Sequence, residues 1–248
     1  MPKITKDGSY DLRSSFKSTI TKDRYSKNDV DNLLVWIKGN STSDLKDGSA
    51  YSRTVVETSL VSVGINSIRN QSYVQVFNHV NLNGSASQFR IADSNDFSFT
   101  DGGDNDEPFS ASIWVRFTDF SQIHGLFGKA ASTSTREYFS TGSTSGAITF
   151  QLFDESANHA ITKTSIDGVV VANTWHHVVV TYDGSEGHTG INIYVDGVLT
   201  TSQTAATGGS YAGSENLGSS LFMGLAMGPT TASTLRYLKG DIGEKYSL

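Results

Sequence analysis

The chain has 248 residues, no cysteine, 24 glycines, three prolines and a formal net charge of −6. Without cysteine it can form neither a disulfide nor a thiolate metal site, and at 18% charged residues it is not a solvated disordered chain. No stretch approaches the roughly 18 consecutive apolar residues of a membrane-spanning helix. The length suits one large all-β sandwich with a sizeable core.

Residues 1–29 carry scattered apolar side chains (Ile4, Tyr10, Leu12, Phe16, Ile20, Tyr25) with no clear period. They hold seven Lys/Arg against four Asp, a local +3, which leaves −9 on the remainder. This predicts a basic N-terminal arm, suited to docking on an acidic partner surface, ahead of one domain over residues 30–248. The chain starts at Met with no apolar run behind its first charges, so no secretory leader is expected and folding in a cytoplasm is.

The globular part begins near Asn32 with a short apolar run at residues 33–37 and a turn at 44–48. Strand material follows at 54–56, 60–63 and 73–77, the last in clean alternation, then at 89–91 and 97–99. Residues 100–107 form an acidic turn. Further strands are predicted at 109–117, 126–128, 137–139 and 147–153, at roughly ten-residue spacing. Short strands at such regular spacing indicate a sandwich or barrel.

Residues 173–199 are the most informative. Trp175-His176-His177-Val178-Val179-Val180-Thr181-Tyr182 stops at Asp183-Gly184, and Ile191-Asn192-Ile193-Tyr194-Val195 stops at Asp196-Gly197. Two β-branched and aromatic runs bounded by Asp-Gly predict strands with tight turns, where Gly accepts positive φ. Apolar residues on both parities of 175–182 predict an inner strand, with Trp114 and Trp175 in the core. Residues 200–220, small and polar, read as a long loop, and 221–224 and 238–246 close the fold. No helix is predicted.

Several segments together resemble the laminin-G-like branch of the concanavalin A-like lectin/glucanase superfamily. These are Phe109-Ser110-Ala111-Ser112-Ile113-Trp114-Val115, Leu126-Phe127-Gly128-Lys129, the pair at 173–184 and 191–199, Leu221-Phe222-Met223-Gly224, and Lys239-Gly240-Asp241-Ile242-Gly243-Glu244. Gly243 stands where that family usually has Asp. The resemblance implies an antiparallel jelly-roll β-sandwich whose usual work is adhesion or recognition.

Glycosidases share that fold, so paired acids matter. A retaining hydrolase needs two carboxyl groups about 5 Å apart. The glucanase Glu-x-Asp-x-x-Glu pattern is absent, and Asp241 and Glu244, three apart, face opposite sides of a strand. His176 and His177 are adjacent and cannot share one ion. No nucleophile elbow, Walker A or dinucleotide fingerprint occurs. No nucleic-acid partner and no membrane insertion are expected.

Relatives in this family often bind Ca²⁺ in rim loops, which makes Asp101, Asp104 and Asp106 the candidate metal ligands, with Asp183 behind them. Sugar stacking would call on Tyr138, Tyr211 and Tyr237, read as lying in or near loops. The expected function is a non-enzymatic structural or adhesion module. The favoured setting is a virion surface, where the resemblance implies capsid-decoration and fibre roles, with the arm docked on other subunits. The rival is a calcium-dependent module for cell-surface glycans; a glycoside hydrolase using Asp241 or Glu244 ranks third.

Overall fold

The computed structural model describes residues 37–38, 46–47, 54–58, 62–69, 74–101, 105–130, 132, 134–207, 209–227 and 235–247. The proposed arm, most of the opening run at 33–37, and Asp104 lie outside the described residues. In chain order the strands are β1 (Ile37–Lys38), β2 (Lys46–Asp47), β3 (Val55–Thr58), β4 (Ser62–Arg69), β5 (Val74–Asn83), β6 (Gln88–Ile91) and β7 (Phe109–Phe117). Then come β8 (His124–Ala130), β9 (Arg136–Gly142), β10 (Ile148–Asp154), β11 (His159–Ser165), β12 (Trp175–Tyr182) and β13 (Ile191–Val195). The last are β14 (Val198–Leu199), β15 (Ser202–Thr207), β16 (Leu221–Met223), β17 (Leu225–Met227), β18 (Leu235–Tyr237) and β19 (Lys239–Ser247). Among the described residues there is no α-helix, only single 3₁₀ turns at Asn95–Phe97 and His188–Gly190.

Two antiparallel sheets face each other. One has seven strands in the order β14-β13-β12-β7-β19-β5-β4; the other has eight, in the order β15-β11-β10-β9-β8-β16-β6-β3. Alternate residues of each sheet meet between them. Val115, Phe117, Val178, Val180 and Ile193 come from the first, and Leu126, Ile148, Phe150, Leu152 and Ile161 from the second, all at 2% exposure or less. Each such side chain contributes about 1.5–3 kcal/mol by leaving water, which is what drives the two sheets together.

A second, smaller core lies on the other side of the eight-stranded sheet. The β17–β18 hairpin lays Ala226 and Met227 against Ala130, Phe139 and Phe153. Gly125 permits that approach, since a Cβ there would sit 2.1 Å from the Ala226 backbone nitrogen.

The expected turns are realised differently. Asp196 and Gly197, at φ 53° and 82°, join β13 to β14 as a two-residue turn with the positive φ at both positions that type I′ requires. Asp183-Gly184 instead opens an eight-residue loop, residues 183–190, between the paired ends Tyr182 and Ile191. The predicted loop at 200–220 also differs. Its first third is β15, paired with β11 at the edge of the eight-stranded sheet.

Candidate functional site

At one end of the sandwich, the loop at 209–220 has no strand partner, so its backbone amides need acceptors from elsewhere. Three buried carboxylates from three different segments supply them. Asp154, at the end of β10, accepts the Ala212 N–H at 3.1 Å. Asp106, just before β7, accepts the Ser214 N–H at 2.7 Å. Glu137, in β9, accepts the Leu217 N–H at 2.8 Å. Glu215 reaches back from the loop and takes the Ser156 N–H at 3.1 Å, and Ser98 donates to the Asn216 side-chain oxygen at 3.1 Å. The Ala212, Ser214 and Leu217 amides of the loop are thereby satisfied by side chains.

Asp106 is the most heavily committed. Its Oδ2 also accepts the hydroxyls of Tyr182 at 2.6 Å and Tyr211 at 2.8 Å, and Tyr182 in turn accepts the Glu186 N–H. Burial, reinforced by the neighbouring Asp106 charge, holds both phenols protonated well above the ordinary tyrosine range. Glu137 is buried with Lys129, the side chains being 1% and 0% exposed. The ammonium is filled by three acceptors: the Glu137 carboxylate, Asp93 at 2.8 Å and the Leu217 carbonyl at 2.7 Å. Burial pushes the Glu137 carboxyl above its usual range against the opposing pull of Lys129.

Of the acids proposed for calcium, Asp104 lies outside the described residues, and Asp101, Asp106 and Asp183 all accept protein donors. Both oxygens of Asp106 are taken by N–H and O–H donors, so this carboxylate does not fit a hard-cation ligand. Asp101 is exposed and accepts the Asn105 side chain at 2.8 Å, and Asp183 caps the Ser185 N–H at 3.0 Å. Among the described residues no three His, Asp or Glu side chains come together as a metal would need.

The tyrosines proposed for sugar stacking are dispersed. Tyr138 is in β9, 5% exposed, and its ring packs against Phe99 and Phe109 in the main core. Tyr211 is 8% exposed and committed to Asp106. Both rings are buried; Tyr138 lies in a strand rather than in or near a loop, while Tyr211 does lie in the 209–220 loop. Tyr237 is half-buried in β18, with its carbonyl on Gln122 at the opposite end of the sandwich.

The outer face of the seven-stranded sheet holds what the sequence reading missed. Register sets Asn81, Asp241, Arg116 and Trp175 in one row across β5, β19, β7 and β12. Asp241, 1% exposed, takes two hydrogens of Arg116 at 2.8 and 2.7 Å and one of Asn81 at 3.0 Å. Arg116 lies 5.7 Å from the Trp175 ring, and His79 meets that ring edge-on at 5.9 Å. The adjacent row is His79, Gly243, Trp114 and His177. Trp114 stacks on His177 at 4.7 Å and 15°, and His177 bonds Ser112 at 2.7 Å. Both tryptophans were expected in the core. Instead both lie on this outer face, Trp175 buried there and Trp114 half-buried.

Two antiparallel sheets around one aromatic core, bearing ordered loops at one end and a mixed polar and aromatic outer face, define a lectin-like jelly roll. Residues 70–244 match the Laminin_G_3 model of the concanavalin A-like lectin/glucanases superfamily, and the chain belongs to that family. No curated protein is significantly similar. Among solved structures, botulinum neurotoxin type C is 15% identical at a TM-score of 0.53, covering 88% of this chain and 49% of that one. The binding domain of botulinum neurotoxin DC in complex with SialylT is 14% identical at 0.53, covering 88% and 47%. The receptor-binding domain of the C/D mosaic serotype is 15% identical at 0.50, covering 84% and 47%. These likenesses establish the fold, and this chain spans about half the length of the structures it matches.

Proposed function

We propose that this chain is a non-catalytic recognition and adhesion module displayed on a virion surface, as a capsid decoration or fibre part, with residues 1–29 docking on other subunits. The carrying observation is the use made of the buried acids. Asp106, Asp154, Glu137 and Asp241 each hold backbone or side-chain donors, a structural use that supports a non-catalytic role. The local +3 of residues 1–29 supports docking on an acidic surface.

In the test, the seven Lys/Arg of residues 1–29 are replaced by Gln in the full chain, and both forms are compared by analytical ultracentrifugation and co-sedimentation with candidate particles. The reading expects assembly or particle retention that the replaced form loses. Monomers with unchanged retention would overturn it.

A second reading, recognition of cell-surface glycans, is favoured by the Trp114–His177 stack with Ser112 beside it, an aromatic and polar pairing of the kind sugars contact. Similar folds point the same way. Type C neurotoxin enters cells in dependence on two ganglioside molecules, and the DC binding domain was solved with SialylT and, separately, with rat synaptotagmin II. Asp106 is committed to protein donors, so in this reading a calcium requirement would fall on other groups. Glycan-array binding that Trp114→Ala abolishes would support this reading, and no binding to any arrayed glycan, with or without Ca²⁺, would overturn it.

A further inference from the structure

His176 is buried at the start of β12, and both of its ring nitrogens are engaged. Nε2 lies 3.0 Å from the Val171 N–H, and Nδ1 lies 2.8 Å from Oδ2 of Asp196. A backbone amide can only donate, so Nε2 is the acceptor and the single ring proton sits on Nδ1, donated to Asp196. Asp196 is fixed in its turn by accepting the His177 N–H on Oδ1 at 2.8 Å. One neutral imidazole thus ties the 166–174 loop to the β13–β14 turn.

We infer that His176 is an acid-sensitive latch that releases the 171–172 segment when its imidazole takes up a second proton. That proton can go only to Nε2, where an N–H would then oppose the Val171 N–H, and the bond is lost. On the other side, protonation strengthens the pair with Asp196, so the turn stays in place while the loop lets go. Asp196 is the charged group paired with the ring. Val115 stands beside His176 in the register, and Asp167, the acid of the 166–174 loop, is taken by Ser145.

Release is local. Gly168 and Val170 remain bonded to Ser145 and Gly146 at 2.9 and 3.1 Å, and Asn173 to Phe117 at 2.7 Å. What moves is Val171, whose side chain is half exposed. The latch thus sets, according to pH, how the exposed Val171 side chain is held.

The test is amide hydrogen exchange by NMR on the full chain at pH 8 and pH 5, expressed as protection factors so that intrinsic rates cancel. Val171 should lose more than about tenfold in protection at pH 5, with Ile193 and Val180 unchanged. In His176→Gln, whose side-chain oxygen accepts without titrating, the pH dependence at Val171 should vanish. Protection at Val171 that is equal at both pH values in the native chain, or a loss that persists in His176→Gln, would overturn the latch.

Discussion

Oδ1 of Asp106 accepts the backbone N–H of Ser214 at 2.7 Å, joining positions 108 residues apart. With the Tyr182 and Tyr211 hydroxyls on its other oxygen, one buried carboxylate ties the entrance of β7, the end of β12 and the 209–220 loop into a single unit. Asp106→Asn keeps the shape but removes the charge and leaves one side-chain oxygen where two accepted the Ser214 N–H and the Tyr182 and Tyr211 hydroxyls. It should cost about 2–4 kcal/mol, read as a lower midpoint in urea unfolding with unchanged slope.

Three buried phenols set the response to alkali, two of them in this cluster and Tyr138 in the main core. Burial raises the Tyr138, Tyr182 and Tyr211 phenols in the folded state, so folding favours their protonated form. Their contribution is therefore complete below the unfolded-state value near pH 10 and is lost as pH rises above it. Ultraviolet titration should find these three phenols silent near pH 10 while the protein is folded. Stability should fall between about pH 10 and 12. Tyr211→Phe removes one donor and should cost about 1 kcal/mol at neutral pH.

Lys129 and Glu137 are a buried pair, and removing one partner strands the other. Lys129→Met should destabilise by about 3–5 kcal/mol. Adding Glu137→Gln should recover part of that loss, because the stranded charge disappears while Leu217 keeps an acceptor. Calorimetric midpoints of the two variants check both statements.

The two outer-face tryptophans should differ. Trp175 covers the Arg116–Asp241 pair and is 8% exposed, whereas Trp114 is half-buried. Trp175→Ala should cost about 3–5 kcal/mol and Trp114→Ala less than half as much, by denaturant titration. Trp114→Ala is then the variant fit for glycan-binding measurements, since it leaves the fold intact.

The architecture was readable from the sequence because β-branched and aromatic runs recur at strand spacing and stop at Asp-Gly. In β12 the alternation separated Val178, Val180 and Tyr182 from Trp175 and Val179, but with apolar side chains on both parities it did not say which set faces the core. The tryptophans were not placeable in the same way, since Trp114 sits between Ile113 and Val115 and apolar side chains occupy both faces of β7. Asp106 was legible only as one of several acids in a polar turn. Its partners Tyr182 and Tyr211 stand 76 and 105 residues away, and no local pattern announces a bond at that separation. The tie between His176 and Asp196 was hidden in the same way, because turn and strand meet only once the sheet has formed.

The claim that the buried acids hold the 209–220 loop is tested most directly by hydrogen exchange at the Ala212, Ser214 and Leu217 amides. They should be protected to a degree comparable with the strand amides of β10 and β12, and Asp106→Asn should strip protection from Ser214 first. Exchange at all three amides as fast as in an unstructured peptide would contradict the account.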